Sequence, residues 1–282
     1  MKKVDKQVVF ITGASGGFGQ LLCHSFYHAG YYVIATLRDM AKKPMLLEKV
    51  NIQDENNGRF HLYKMDVTDE QQISHVVGEV IKDFGHIDVL INNAGFASGG
   101  FIEEISLETW REQFDTNVFG VISVTKAILP YMREARSGTI INMSSISGRF
   151  AFPGLGPYST SKYAIEGYSE SLRFEMKPYG IRVMLVEPGS YKTHIWSKGL
   201  TAFRTTPSSP YSAQTEHLMH MVKAIEKHAG DPNDVAQYIL RIIEKNSKKF
   251  RHPIGKGVKN TLRLKHLVPW HWIENSVVKR LK

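Results

Sequence analysis

The sequence predicts an α/β fold, an open doubly wound parallel sheet with helices on both faces, and three observations carry that prediction. Strand-like apolar runs alternate with helix-like periodicity along most of the 282 residues. The first run, Val8 to Ile11, stops at a glycine-rich turn, Thr12-Gly13-Ala14-Ser15-Gly16-Gly17-Phe18-Gly19, which opens a helical pattern. Polar and glycine motifs recur at later strand ends, the edge where open α/β sheets bind ligands. With 42% hydrophobic and 22% charged residues the chain can bury one sizeable core, so a single domain over residues 1–282 is expected.

The elements follow in order. Leu21, Leu22, Ser25, Phe26 and Ala29 have the spacing of a helix after the glycine turn. Tyr32 to Thr36 reads as the second strand and Phe60 to Met65 as the third. Thr68, with Gln71 as its box partner, is expected to cap a helix carrying Ile73, Val76, Val77, Val80 and Ile81. Val89 to Ile91 runs into Asn92-Asn93-Ala94-Gly95, and Ser106 is expected to cap one long helix through Arg133. Thr139 to Met143 is the strand that delivers Ser144 and Ser145. Tyr158 to Met176 is the next helix, ended by Pro178 and Gly180, and Arg182 to Val186 is a strand leading to Pro188-Gly189. Asp231 as N-cap and Pro232 at the first position start a helix through Glu244, with Val235, Ile239, Ile242 and Ile243 on one side. Phe250 to Ile254 reads as a last strand.

Two constellations suggest chemistry. Tyr158 and Lys162 are four residues apart, with Ser144 and Ser145 fourteen and thirteen residues upstream of the tyrosine. On a helix, positions i and i+4 share a face, which sets an ammonium beside a phenol; a solvated helix face can carry the same spacing. An unperturbed tyrosine titrates near ~10, and a neighbouring cation favours its phenolate, so the pair suits proton exchange at neutral pH. The glycine turn suits a pyrophosphate, because its backbone can approach a ligand closely and the N–H groups opening the next helix carry partial positive charge. Its spacing, Gly13-x-x-x-Gly17-x-Gly19, is a variant of the commoner G-x-G-x-x-G fingerprint. Asn117, a poor helix former inside a helical pattern, points to a buried polar role.

In their order and spacing, Thr12-Gly13-x-x-x-Gly17-x-Gly19, Asn92-Asn93-Ala94-Gly95, Asn117, Ser145, Tyr158-x-x-x-Lys162 and Pro188-Gly189-x-x-x-Thr193 resemble the short-chain dehydrogenase/reductase family. The stretch from Ser144 to Glu175 is most similar to its steroid and retinol dehydrogenase branch. The resemblance covers about residues 5 to 195. It implies a Rossmann-type domain, with a cofactor-binding and catalytic core over about residues 5–189 and a substrate lid and basic extension over about 190–282. It implies a catalytic tetrad of Asn117, Ser145, Tyr158 and Lys162. Tyr158 would donate the proton, Ser145 would hydrogen-bond the carbonyl oxygen, and Lys162 would tune Tyr158 and hold the nicotinamide ribose. Asn117 would support a kinked helix and a water connected to the lysine. The family's spacing selects Ser145 over Ser144, which would shape the strand end. Cofactor contacts are implied for Gly13, Ser15, Gly17, Phe18 and Gly19, for Asp66 and Val67 at the adenine, and for Asn92, Ala94 and Gly95 along the cleft. Pro188, Gly189 and Thr193 complete the set, with Thr193 at the carboxamide. Asp66 and Asn92 also have an ordinary reading as turn and cap residues. Relatives of this kind lead to the expectation of a homo-oligomer.

Cofactor preference is read at the end of the second strand. An acid there accepts hydrogen bonds from the ribose hydroxyls of NAD, whereas a 2′-phosphate requires a cation. Leu37 takes the acid's position and Arg38 follows, which favours NADP(H); a shift of register would instead make Asp39 the ribose acid. Phe96-Ala97, Phe150, Phe152 and Trp196 are expected to wall an apolar pocket, joining Ser145 and Tyr158 around a lipophilic carbonyl or alcohol; Phe150, Phe152 and Trp196 could equally belong to the core or to an oligomer contact. A Ser/Thr/Pro-rich stretch from Thr201 to Ser212 resembles a lid. The leading expectation is an NADP(H)-dependent carbonyl reductase or alcohol dehydrogenase. The alternatives are an NAD-dependent alcohol oxidiser and a non-enzymatic nucleotide- or lipid-binding protein, and the intact tetrad argues against the last.

Charge is concentrated at one end. Residues 241–282 hold twelve Lys/Arg and two Glu, a net of +10, against +9 for the whole chain. Leu262, Leu264, Leu267, Val268, Trp270, Trp272 and Ile273 are interleaved with them, a pattern compatible with an anionic membrane surface. The favoured reading is that these apolar residues dock on the sheet and close the pocket while the lysines stay solvated; nucleic acid is not an expected partner. The apolar stretch after Lys2 and Lys3 is too short for a signal peptide, and no window reaches the ~18 apolar residues of a membrane span. A cytoplasmic protein, with the membrane-peripheral alternative, is therefore expected. The single Cys23 excludes an internal disulfide. The twelve histidines lack ligand spacing, so no metal is expected.

Overall fold

A computed structural model of the protein describes residues 7–52, 58–193, 209–279 and 281. Its strands are β1 (Val8–Ile11), β2 (Tyr32–Leu37), β3 (Phe60–Lys64), β4 (Val89–Asn92), β5 (Gly138–Met143), β6 (Ile181–Pro188) and β7 (Arg251–Ile254). They pair in parallel as one seven-stranded sheet in the order β3-β2-β1-β4-β5-β6-β7. The first helices are α1 (Gly17–His28), α2 (Lys43–Val50), α3 (Glu70–Phe84), α4 (Leu107–Phe114), α5 (Gly120–Glu134) and α6 (Gly156–Met176). After them come α7 (Ser212–Lys227), α8 (Pro232–Glu244), α9 (Val258–Leu267) and α10 (Trp270–Lys279).

Successive side chains on a strand point to opposite faces, and a sheet covered on both faces needs strands that are apolar throughout. β1 meets both conditions. Val9 and Ile11 enter one core with Leu22, Phe26, Leu46, Val235 and Ile239 from α1, α2 and α8. Val8 and Phe10 enter the other, with Ile73, Val77, Val124, Ile128 and Leu172 from α3, α5 and α6. Each such side chain contributes roughly 1.5–3 kcal/mol by leaving water. The strand order reverses at β1, between β2 and β4, so the carboxyl ends of β1 and β4 flank a crevice that neither neighbour fills.

Three local expectations change. The cap of α3 is Asp69, not Thr68: its carboxylate accepts from the backbone N–H groups of Gln71 and Gln72, both at 3.0 Å. Thr68 is held instead by Asp66, whose Oδ1 accepts from the Thr68 N–H at 3.0 Å and from its hydroxyl at 2.9 Å. Ser106 does cap α4, but the helix it opens is not continuous: a π turn over Asp115–Phe119 separates α4 from α5. β2 continues to Leu37, because Leu37 still pairs with Lys64.

The C-terminal segment docks only in part. Val258 and Leu262 of α9 are buried, whereas α10 has no buried residue and Trp270 and Trp272 are 63% and 64% exposed. The expectation that the tail's apolar residues pack on the sheet therefore holds for α9 alone, which has one helical face to bury and the end of β7 to bury it on. Residues 201–208 of the expected lid, together with Ile195, Trp196, Leu200 and Phe203, lie outside the described residues. Among the described residues, no helix is long and apolar enough to cross a membrane.

Candidate active site

The glycine turn and the β4 motif are stitched into one surface. Thr12 Oγ1 accepts from the Asn93 and Ala94 N–H groups, each at 3.0 Å, and Asn93 Nδ2 donates to the Thr12 and Gly13 carbonyls, also at 3.0 Å. Gly13 has φ +65°, and a Cβ there would lie 2.7 Å from Ala94 Cα. A Cβ on Gly19 would lie 2.3 Å from the Gly13 carbonyl oxygen. Only glycine lets these three backbones meet. Asn92, expected to line the cleft, does not. It is buried, and its Nδ2 donates to Thr125 Oγ1 at 3.0 Å and Asn142 Oδ1 at 2.8 Å. The next residue, Asn93, reaches the cleft, as the alternation of a strand dictates.

Ser145 lies two residues past the end of β5 and caps the following turn, its hydroxyl accepting from the Ser147 N–H at 3.1 Å. Tyr158, on the first turn of α6, sets its hydroxyl beside the Ser145 side chain at the wall of one cleft, and both side chains are buried. Lys162 follows one turn later: its Nζ donates to the Met143 carbonyl at 2.8 Å and lies 5.6 Å from the centre of the Tyr158 ring. Burial pushes the Tyr158 phenol above its ordinary value, and Ser145 is the group that opposes it. The depression expected from Lys162 does not appear. Burial also pushes the Lys162 ammonium down to about 8, against the attraction of Glu166. Behind the pair, Ser144 donates to Glu166 at 2.6 Å, and Arg251 from β7 reaches Glu166 at 3.0 Å and Glu170 at 2.8 Å. Fully buried Glu187 lies 3.6 Å from Arg251 and 3.7 Å from Arg149.

Asn117 sits on the π turn, almost fully buried, and its amide clamps one peptide. Oδ1 accepts from the Phe96 N–H at 3.1 Å, and Nδ2 donates to the Phe96 carbonyl at 2.9 Å and to Ser161 Oγ at 3.2 Å. Ser161 in turn donates to the Tyr158 carbonyl at 2.7 Å. Asn117 thus ties the β4 motif to the helix carrying Tyr158 and Lys162.

One cleft brings together Ser145, Tyr158 and Lys162 with Phe18, Gly95, Pro188, Gly189 and Thr193, all expected, with Ala97 of the Phe96-Ala97 stretch expected at the pocket wall, and with Asn93, Met143 and Tyr191, which were not expected. Tyr191 packs edge-on against Phe18 at 5.8 Å. Gly17 faces Thr193 across the cleft, at 3.1 Å from where its Cβ would stand. Ser15 is half-buried, and its carbonyl accepts from Gln20 Nε2 at 3.2 Å. At the β2 end, exposed Arg38 lies 3.9 Å from Asp66, and Val67 packs beside Gly120. Asp39 turns away to cap its own turn, accepting from the Ala41 N–H at 3.0 Å. Phe96, Phe150 and Phe152 do not line the cleft. Phe150 and Phe152 pack on each other at 4.9 Å, with Lys265 of α9 over the Phe150 ring, because the turn at Ile146–Gly148 carries the chain outward to the tail. Trp196 lies outside the described residues.

These features fit a dinucleotide: a turn whose Cβ positions are filled by backbone, an α1 terminus whose N-cap Gly16 supplies no side-chain cap, and a cleft running from that turn to the Tyr158 hydroxyl. Among the described residues, no group of His, Cys, Asp or Glu could hold a metal.

Fold and site together define an oxidoreductase of the short-chain dehydrogenase family, and the chain belongs to that family: its model, described as short chain dehydrogenase, matches residues 7–201. The chain is 44% identical over 281 residues to an uncharacterized oxidoreductase, YusZ, of Bacillus subtilis, covering 99% of both. It is 36% identical to a 3-ketodihydrosphingosine reductase of Bacteroides thetaiotaomicron, with 89% of each covered. An NADPH-dependent 3-dehydrocapnine reductase of Ornithobacterium rhinotracheale is 31% identical over 96% of each. Among solved structures, a short-chain dehydrogenase from Streptomyces avermitilis superimposes with a TM-score of 0.80 at 32% identity, over 98% of this chain and 96% of that one.

Proposed function

We propose that this protein is an NADP(H)-dependent reductase that converts a ketone on a lipophilic, long-chain substrate to the alcohol. The observation that carries the reading is the convergence of Ser145 and Tyr158 on one cleft, with the Lys162 ammonium over the tyrosine ring. A bound nicotinamide would supply the hydride. Ser145 polarises the substrate carbonyl through its hydroxyl, and Tyr158 donates the proton that the developing alkoxide needs. A phenol held above its ordinary value stays protonated at neutral pH and arrives at the reaction as a donor. Lys162 keeps a positive charge beside the phenolate left behind, and Asn117 holds the Phe96 peptide and Ser161 in place around it.

NADP(H) is supported by Arg38, exposed at the β2 end and held only by a long 3.9 Å pair with Asp66, from which it can turn to a 2′-phosphate, and by the engagement of Asp39 in its own turn, which removes the competing acid. The long-chain ketone is supported by two relatives, named for reducing 3-ketodihydrosphingosine and 3-dehydrocapnine. The apolar lining from Phe18, Ala97, Met143 and Tyr191 supports it as well. The test follows NADPH consumption with 3-keto long-chain amines, ketosteroids and retinal. Turnover is expected with the long-chain ketones, and Arg38→Ala is expected to lose most of the preference for NADPH over NADH. Absence of turnover with every ketone under both cofactors refutes the reductase reading, and an unchanged preference in Arg38→Ala refutes the cofactor assignment.

A further inference from the structure

The C-terminal helices leave apolar surface in water that the fold does not use. α9 buries Val258 and Leu262 but turns Leu264 and Leu267 outward at 56% and 79% exposure. α10 has no buried residue: Trp270, Trp272 and Val278 are exposed, and Ile273 and Val277 are only half-buried. Large exposed apolar side chains grouped in this way mark an interaction surface. Its electrostatics narrow the choice of partner. Lys256, Lys259, Arg263 and Lys279 make no ion pair among the described residues, and Glu274 is the sole acid on the two helices. Tryptophans carry an apolar ring with one polar N–H, which suits the boundary between headgroups and acyl chains. Solvated lysines and arginines beside them suit an anionic surface. A protein partner's apolar groove would take the tryptophans but leave the scattered cations without complements, whereas a charged bilayer satisfies both at once.

The surface is also fixed to the cleft. Lys265 donates to the Arg149 carbonyl and, at 2.8 Å, to the Tyr163 hydroxyl, while the His266 ring lies 3.1 Å from the Arg149 guanidinium. Val258 fills the space above Gly189, where a Cβ would come within 2.5 Å of its Cγ2. The tail thus stands on the chain that follows Ser145 and on the chain that follows β6, both of which border the cleft.

We propose that α9 and α10 seat the protein on the surface of an anionic lipid bilayer, with Trp270 and Trp272 entering the headgroup region and the cations paired with lipid phosphates. This goes beyond the reductase reading and does not depend on it. The experiment is co-sedimentation of the full chain with vesicles of phosphatidylglycerol and of phosphatidylcholine, at low and high salt. The wild-type protein is expected to pellet with the anionic vesicles alone and to be released by salt. Trp270→Ser with Trp272→Ser, and separately Lys259→Glu with Arg263→Glu, are each expected to weaken binding on the order of tenfold or more. All four residues are exposed, so circular dichroism and NADPH binding are expected to stay as in the wild type. Failure to bind anionic vesicles at low salt overturns the proposal. So does wild-type binding by both variants, loss of a dimer in the tryptophan variant without loss of vesicle binding, or binding to a duplex oligonucleotide in place of vesicles.

Discussion

Tyr158 is the residue on which the chemistry turns. Tyr158→Phe keeps the ring and its packing but removes the proton donor, so turnover is expected to fall on the order of 10²–10⁴-fold while the NADPH dissociation constant changes little; near-wild-type turnover excludes the proposed role. Glu187 yields a second prediction at this scale. Burial, reinforced by Glu166, raises its carboxyl from 4.5 to about 7, against the pull of Arg149 and Arg251. Between those values the folded state holds a proton that the unfolded chain has released, so this group withdraws stability as pH rises through the window and has no further effect above it. Melting temperatures of the wild type and Glu187→Gln, compared from pH 4.5 to 7.5, are expected to show the wild type losing ground as pH rises. A constant difference across that range contradicts the assignment. Tyr158 and Lys162 could be placed on one helix face by their spacing, and the family resemblance selects Ser145 over Ser144. The direction of the tyrosine's shift could not be read, since burial of a whole helix face leaves no mark on a five-residue motif. Glu166 and Glu187 escaped for the same reason: what singles them out is Arg251, far away in sequence.

At the scale of elements, the strands and most helices could be read from apolar periodicity, because a sheet covered on both faces demands it of every strand. What could not be read is how two elements share a junction. Asp69 displaces Thr68 as the α3 cap through a carboxylate able to reach two N–H groups. The π turn at Asn117 showed in the sequence as a polar residue in a helical pattern and, through the family resemblance, as a kink, but not as a break between two helices. Asn117→Ala removes three hydrogen bonds, two to the half-buried Phe96 and one to buried Ser161, and is expected to cost roughly 1–3 kcal/mol in urea denaturation while lowering turnover; loss of turnover without loss of stability would assign Asn117 a role other than clamping Phe96. The glycine turn permits a sharper test. In Gly19→Ala the new methyl meets the Gly13 carbonyl at 2.3 Å, so the turn has to open. NADPH affinity measured by fluorescence titration is expected to drop by at least about tenfold.

For the molecule as a whole, Arg251 is the contact that closes the design. It crosses from β7 to Glu166 and Glu170 on α6 and to Glu187 on β6, so residues directly behind Ser144 and Lys162 depend on a side chain from the basic C-terminal quarter. Arg251→Met would strand two buried acids. The expected loss lies at or below the roughly 3–5 kcal/mol of a broken buried pair, because Arg251 is 31% exposed. A loss under about 0.5 kcal/mol in urea denaturation would show the acids to be neutral already. The basic excess was plain from composition, but its division of labour was not: one arginine faces inward to the catalytic half, and most of the other cations face water. That division has a consequence for birth as well as for stability. On the ribosome the acids at 166, 170 and 187 emerge before the arginine that contacts all three, so the nascent chain carries a nearly finished catalytic half that cannot settle until its last strand is translated.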